Sequence, residues 1–162
     1  MTRLFAAACA AVFAAHLFAS PAVAADLKVM DAYARSSNPK VGAVFMRIMN
    51  PSGDADRLVE VRSSAARRVE LHTHEFEDGI ARMREVDAIE VPADGMAALV
   101  RGGDHVMLLG LTEPLEQGGT VPLTLVFESG AEITLDAPVD NDRKPAEQGH
   151  GGHGHGHGTA ND

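Results

Sequence analysis

Cysteine is almost absent from this chain of 162 residues, and the one that exists, Cys9, falls in its first stretch. A chain processed beyond that stretch has no thiol, so no disulfide staples its fold and no thiolate binds metal. That excludes a thiol oxidoreductase, and it excludes a blue-copper electron-transfer site, which needs a Cys ligand. Tryptophan is missing and tyrosine occurs once. Basic charge is also scarce, with 14 Lys and Arg against 23 Asp and Glu. A nucleic-acid binder needs a basic footprint, so that class is excluded. The acidic balance fits a soluble protein that meets a cation or a basic partner. Nucleophile elbow, phosphate loop and paired-carboxylate motif are all lacking, so nothing supplies the parts of an enzyme.

The ends differ from the middle. Arg3 precedes a mostly apolar run from Leu4 to Phe18, and Ala22-Val23-Ala24 follows as a small-residue cleavage site. Residues 1–24 therefore read as a cleaved secretory signal peptide. The run is too short for a membrane span, which needs about 20 apolar residues, so no stable membrane anchor is expected. Lipid attachment at Cys9 is disfavoured, because little apolar sequence precedes it. Export of this kind points to a periplasmic location. Losing Arg3 leaves 13 basic against 23 acidic residues, a change from −9 to −10. At the other end, residues 141–162 have almost no apolar side chain and cannot offset their ordering entropy. A disordered tail is expected. Within it His150, His153, His155 and His157 alternate with Gly, a composition that binds Cu(II), Zn(II) or Ni(II) with little discrimination.

Residues 25–140 remain, the size of one ordinary domain. The pattern is β throughout. Leu123, Leu125 and Phe127 alternate with Thr124, Val126 and Glu128, and Ile133 and Leu135 alternate with Thr134 and Asp136. Ser129-Gly130 between them signals a hairpin. Val44, Met46 and Ile48 alternate with Phe45, Arg47 and Met49 before a turn at Asn50-Pro51-Ser52-Gly53. Turn signals recur at Ser36 to Pro39, Glu77 to Gly79, Pro92 to Gly95 and Gly102 to Asp104. Many short strands at such spacing make an all-β sandwich or barrel. Only Ser64 to Arg68 offers a single helical turn.

Four residues carry the chemistry. His72 and Met83 are separated by ten residues, Met83 and His105 by twenty-one, and His105 and Met107 by one. Two imidazoles and two thioethers suit Cu(I), because thioether is a soft donor and zinc, calcium and magnesium prefer other ligands. Val69 and Leu71 face the core, so Glu70, His72 and His74 face outward. Val106 and Leu108 likewise send His105 and Met107 outward. Met83 stands between Arg82 and Arg84, as on an edge strand or loop beside solvent. That arrangement is a surface cradle. Met30, Met46, Met49 and Met96 read as core filler.

The spacing of these four matches the signature of the PCuAC family of periplasmic copper chaperones, which the chain resembles over nearly the whole domain. Further matches are Asp31-Ala32-Tyr33-Ala34-Arg35, Phe45 to Asn50, Arg57-Leu58-Val59, Val69 to His72 and Gly102 to Leu111. The resemblance implies a cupredoxin-like Greek-key β-barrel or sandwich holding one Cu(I) on His72, Met83, His105 and Met107. It implies delivery toward the CuA centre of cytochrome c oxidase subunit II, in a pathway shared with Sco-type copper proteins, and a monomer is expected. Some members carry a metal-binding tail. This one has His and no Met, which favours Cu(II) at His150, His153, His155 and His157. His74 stands where a Met is common in relatives and is a possible accessory ligand. Copper storage or detoxification shares every ligand with this reading, and a general zinc or nickel binder is the other alternative.

Overall fold

The computed structural model describes residues 26–77 and 80–144. Residues 1–24, read above as a signal peptide, and the four tail histidines lie outside them. Among the described residues there are ten strands and no helix. They are β1 (Lys28–Asn38), β2 (Val41–Asn50), β3 (Asp56–Arg62), β4 (Ala66–Glu77), β5 (Ile80–Glu85), β6 (Ile89–Val91), β7 (Gly95–Leu99), β8 (His105–Leu111), β9 (Thr120–Phe127) and β10 (Glu132–Pro138). The single helical turn expected from Ser64 is instead a turn at Ser64-Ala65 that feeds straight into β4. Val69 and Leu71 explain this, since period-two burial against the core outweighs the weak local helical preference.

Two antiparallel sheets face each other. The larger runs β1-β2-β8-β4-β5, with β7 also paired to β2, and the smaller runs β10-β9-β3-β6. Alternation decides which side chains meet between them. Val44, Met46 and Ile48 of β2, Val106 and Leu108 of β8, and Leu123, Leu125 and Phe127 of β9 are all buried in one apolar cluster. Each such side chain contributes about 1.5–3 kcal/mol relative to exposure, so this all-apolar core can hold the fold without a metal or a staple. This is the all-β sandwich expected from the strand spacing.

The other face of the large sheet matters for function. Lys28, Met30, Tyr33, Phe45, Arg47, Met49, Met96, Met107 and His105 all project there, because their strand partners share a face at each register position. Asp31, at φ 52°, makes a bulge in β1 that resets the register before Tyr33 pairs with Phe45. Residues beyond β10 return to β1. Val139 bridges Ala34 in parallel, Asp140 donates its N–H to the Ala34 carbonyl at 2.9 Å, and Ser36 donates to Asn141 Oδ1 at 2.9 Å. Arg143 lies 4.2 Å above the Tyr33 ring. The described chain therefore ends against the outward face, not the far sheet.

Candidate metal centre

Three neighbouring strands bring the sequence-marked residues together. On β4 and β8, His72 is the register partner of His105, and Glu70 is the partner of Met107. On β4 and β5, His74 is the partner of Met83. All five donors thus stand on one patch of the outward face. Met83 is 46% exposed on β5, an edge strand whose six residues are all exposed. His105 is different, at only 3% exposed. The open cradle read from alternation describes the Met83 side but not His105. Facing away from one core does not mean facing water, because Phe45, itself 6% exposed, covers the ring from β2.

The imidazoles are held by their N–H groups. His105 donates Nδ1–H to the Gly103 carbonyl at 2.9 Å, and His74 Nδ1 reaches the same oxygen at 3.3 Å. A carbonyl can only accept, so the ring proton sits on Nδ1 and Nε2 is left bare. His105 Nε2 then lies 3.1 Å from Met83 Sδ. Neither atom has a proton to give, so two lone pairs face each other, an arrangement that a soft cation bridges. His72 is oriented by a carboxylate, with Nε2 2.8 Å from Glu70 Oε2. Glu70 is in turn paired with Arg68. The other nitrogen, His72 Nδ1, is buried without a partner. A buried bare lone pair of this kind is costly unless something occupies it. Binding imidazoles typically donate their second nitrogen to a carbonyl or carboxylate in this way.

Burial pushes the His105 pKa below that of an ordinary imidazole, and the nearby His74 and His72 rings push the same way. The Gly103 carbonyl and Asp104 act in opposition, and burial wins. The ring is kept neutral, the form that binds metal. The rings of His72 and His74 lie 5.8 Å and 5.3 Å from the His105 ring. Even so, among the described residues no three His, Cys, Asp or Glu side chains are grouped to hold a metal by themselves. The thioethers are needed to complete a donor set. A cavity of about 300 Å³ opens here, with Met83, His105, Met107 and His74 on its wall and Arg35 and Arg101 beside them. His72 is not on that wall. His74, ranked as accessory in the sequence, occupies the cavity position that His72 was expected to share.

The family model LpqE-like, described as a lipoprotein family, matches residues 27–139. The chain belongs to the LpqE-like family. A relative from Leifsonia xyli subsp. xyli, named as lipoprotein Lxx21020, is 33% identical over 131 residues, covering 78% of this chain and 79% of that one. Among solved structures, the copper-bound PCuAC domain from PmoF2 is similar with a TM-score of 0.60 at 27% identity, over 71% of this chain and 92% of that domain. The Cu(I) form of DR1885 from Deinococcus radiodurans is similar with a TM-score of 0.57 at 33% identity, over 70% of this chain and 79% of that one. The LpqE-like chain thus has the fold of PCuAC domains, as the family resemblance implied.

Proposed function

We propose that this LpqE-like protein is an exported, periplasmic copper chaperone whose domain binds Cu(I) through His72, Met83, His105 and Met107. The observation that carries this reading is the 3.1 Å contact between His105 Nε2 and Met83 Sδ, two acceptors with no proton between them. The copper-bound state of similar PCuAC domains supports it. Copper here is cargo. Neutral donors hold it without a charge to trap it, and thioethers need no deprotonation. The cavity of about 300 Å³ far exceeds one ion, so a donor side chain from a recipient has room to enter and displace one ligand at a time. The recipient we propose is the CuA domain of cytochrome c oxidase subunit II, directly or through a Sco-type protein.

The tail histidines His150, His153, His155 and His157 are proposed to collect Cu(II). Support comes from where the described chain ends. Arg143 rests on Tyr33, the Tyr33 ring is 5.2 Å from Phe45, and Phe45 is 6.0 Å from His105. Metal held by the tail would be tethered to a root that borders the aromatic pair beside His105, which raises its effective concentration at the domain site.

Two experiments test the reading. Protein lacking residues 145–162 should keep one Cu(I) on the four domain ligands and lose Cu(II) binding; unchanged Cu(II) stoichiometry would end the division of labour. Loaded protein mixed with an apo CuA domain should pass its copper on. Retention in that mixture would favour storage or detoxification instead.

A further inference from the structure

Six methionines fall within the described residues, and only Met46 belongs to the core. The filler reading of Met30, Met49 and Met96 is therefore wrong. Alternation places Met49 opposite to Ile48 and Met96 opposite to Ala97, and those two neighbours are the buried ones. Met49 and Met96 are register partners across β2 and β7, and they are 36% and 46% exposed. Met30 is the partner of Arg47 one step along β1. Three thioethers thus meet on adjacent strands of the same outward face that carries Met83 and Met107.

We infer that Met49 and Met96, with Met30 beside them, form a second site for Cu(I), built from thioethers alone. Directly opposed side chains have Cβ atoms about 4.5–5.5 Å apart, close enough for two thioethers to share one ion. The diagonal neighbour Met30 stands about 7–8 Å from Met49 at the backbone, within reach of a long side chain. Ala98, the β7 partner of Arg47, adds little bulk beside Met49 and Met96. The charged neighbours are accounted for. Arg47 is paired with Asp31 at 3.2 Å, and Lys28, the β1 partner of Met49, is exposed to solvent. The Asp31 carboxylate is engaged by Arg47, whereas neutral soft sulfur selects Cu(I).

The site is separate from the first. Met49 stands six positions along β2 from Ala43, the partner of Met107, a distance of roughly 20 Å. Phe45 and Arg47 occupy the interval on the same face, and none of the three methionines lines the cavity. The result is a sheet face with soft donors at both ends.

Methionine methyl NMR on the full chain, labelled at the ε-carbon and titrated with Ag(I) and then Cu(I) under reductant, reads each thioether separately. The expected result is that Met83 and Met107 respond to the first equivalent, Met49 and Met96 respond in a later and saturable step, and core Met46 does not move. The double variant Met49→Leu with Met96→Leu should abolish the later step and leave the first intact, because Leu replaces Met at nearly constant volume. Met49 and Met96 signals that stay still through excess metal would overturn the second site, as would a response that only accompanies Met46. Movement of Met49 and Met96 without Met83 and Met107 would instead sink the principal site and leave this one standing.

Discussion

One backbone oxygen and one carboxylate prepare three imidazoles. The Gly103 carbonyl takes the ring protons of His105 and His74, and Glu70 takes that of His72. Each ring is left with a bare nitrogen in a fixed direction, so little ordering remains to be done when metal arrives. Replacing Glu70 with Gln keeps the shape but removes the charged acceptor. Cu(I) affinity, read by competition with a chromophoric chelator, should fall by about 10- to 100-fold, while the fold is retained. Equal affinity in the variant would mean that His72 needs no orienting partner. His105 gives a second prediction. An unfolded imidazole titrates near 6.5, and burial lowers the folded value. Between the two, the unfolded chain holds more protons, so stability rises with pH across that window. The apo protein should therefore lose stability as pH falls below about 6.5 and through the depressed pKa of His105. Urea midpoints at roughly pH 7.5 and pH 5.5, either side of an ordinary imidazole, should differ less in His105→Gln than in the parent. An identical pH dependence would show that the ring is not held neutral by its surroundings.

At the scale of elements, the donors are divided between a rigid strand and a loose one. β8 lies between β2 and β4, and Val106 and Leu108 anchor it at 0% exposure. β5 is an edge strand with no buried residue and is held by pairing to β4 alone. Few buried contacts mean low local stability. Amides of Ile80 to Glu85 should therefore exchange faster than those of β8 in the apo protein, and Cu(I) should slow them, because Met83 ties the edge to His105. Exchange at β5 that ignores Cu(I) would remove Met83 from the ligand set. Strands β2, β4, β8, β9 and β10 were legible from alternation, and so was the outward phase of His72, His105 and Met107, whereas β1, β6 and β7 carried no such clear pattern. What alternation could not reveal was a second layer on the outward face. Phe45 pairs with Tyr33 there and covers His105, a contact between residues 60 positions apart. The misreading of Met49 had a nearer remedy. Its phase with Arg47 already put it outward, and only the assumption that an apolar side chain must be core filler overrode the pattern. The hydrogen bond from His72 to Glu70 had a weaker signal, two positions apart on one strand face, and needed the structure to be seen.

For the whole molecule, the question is whether copper belongs to the fold or merely visits it. No cysteine occurs from residue 26 onward, and the core cluster is wholly apolar, so the sandwich stands without metal or disulfide. Reductant alone should leave its thermal midpoint where it is. Cu(I) should raise it, because the proposed donors on β4, β5 and β8 are neighbours only in the folded state. At a free concentration 100 times the Kd, binding to the folded form alone adds about 2.7 kcal/mol, or a rise of roughly 10 °C for a domain of this length. Metal held equally by folded and unfolded chain adds nothing. The thermal shift therefore separates copper on the sheet face from copper held elsewhere in the chain. Calorimetry with Cu(I) under reductant, on the parent and on Met83→Leu with Met107→Leu, makes the comparison. The parent should gain the rise and the double variant should lose most of it, while its apo midpoint stays close to that of the parent. That last expectation rests on Met83 being exposed and on both methionines lying outside the core cluster. A parent that binds Cu(I) at full stoichiometry with no change in midpoint would place the metal outside the folded face and overturn the ligand assignment at its root.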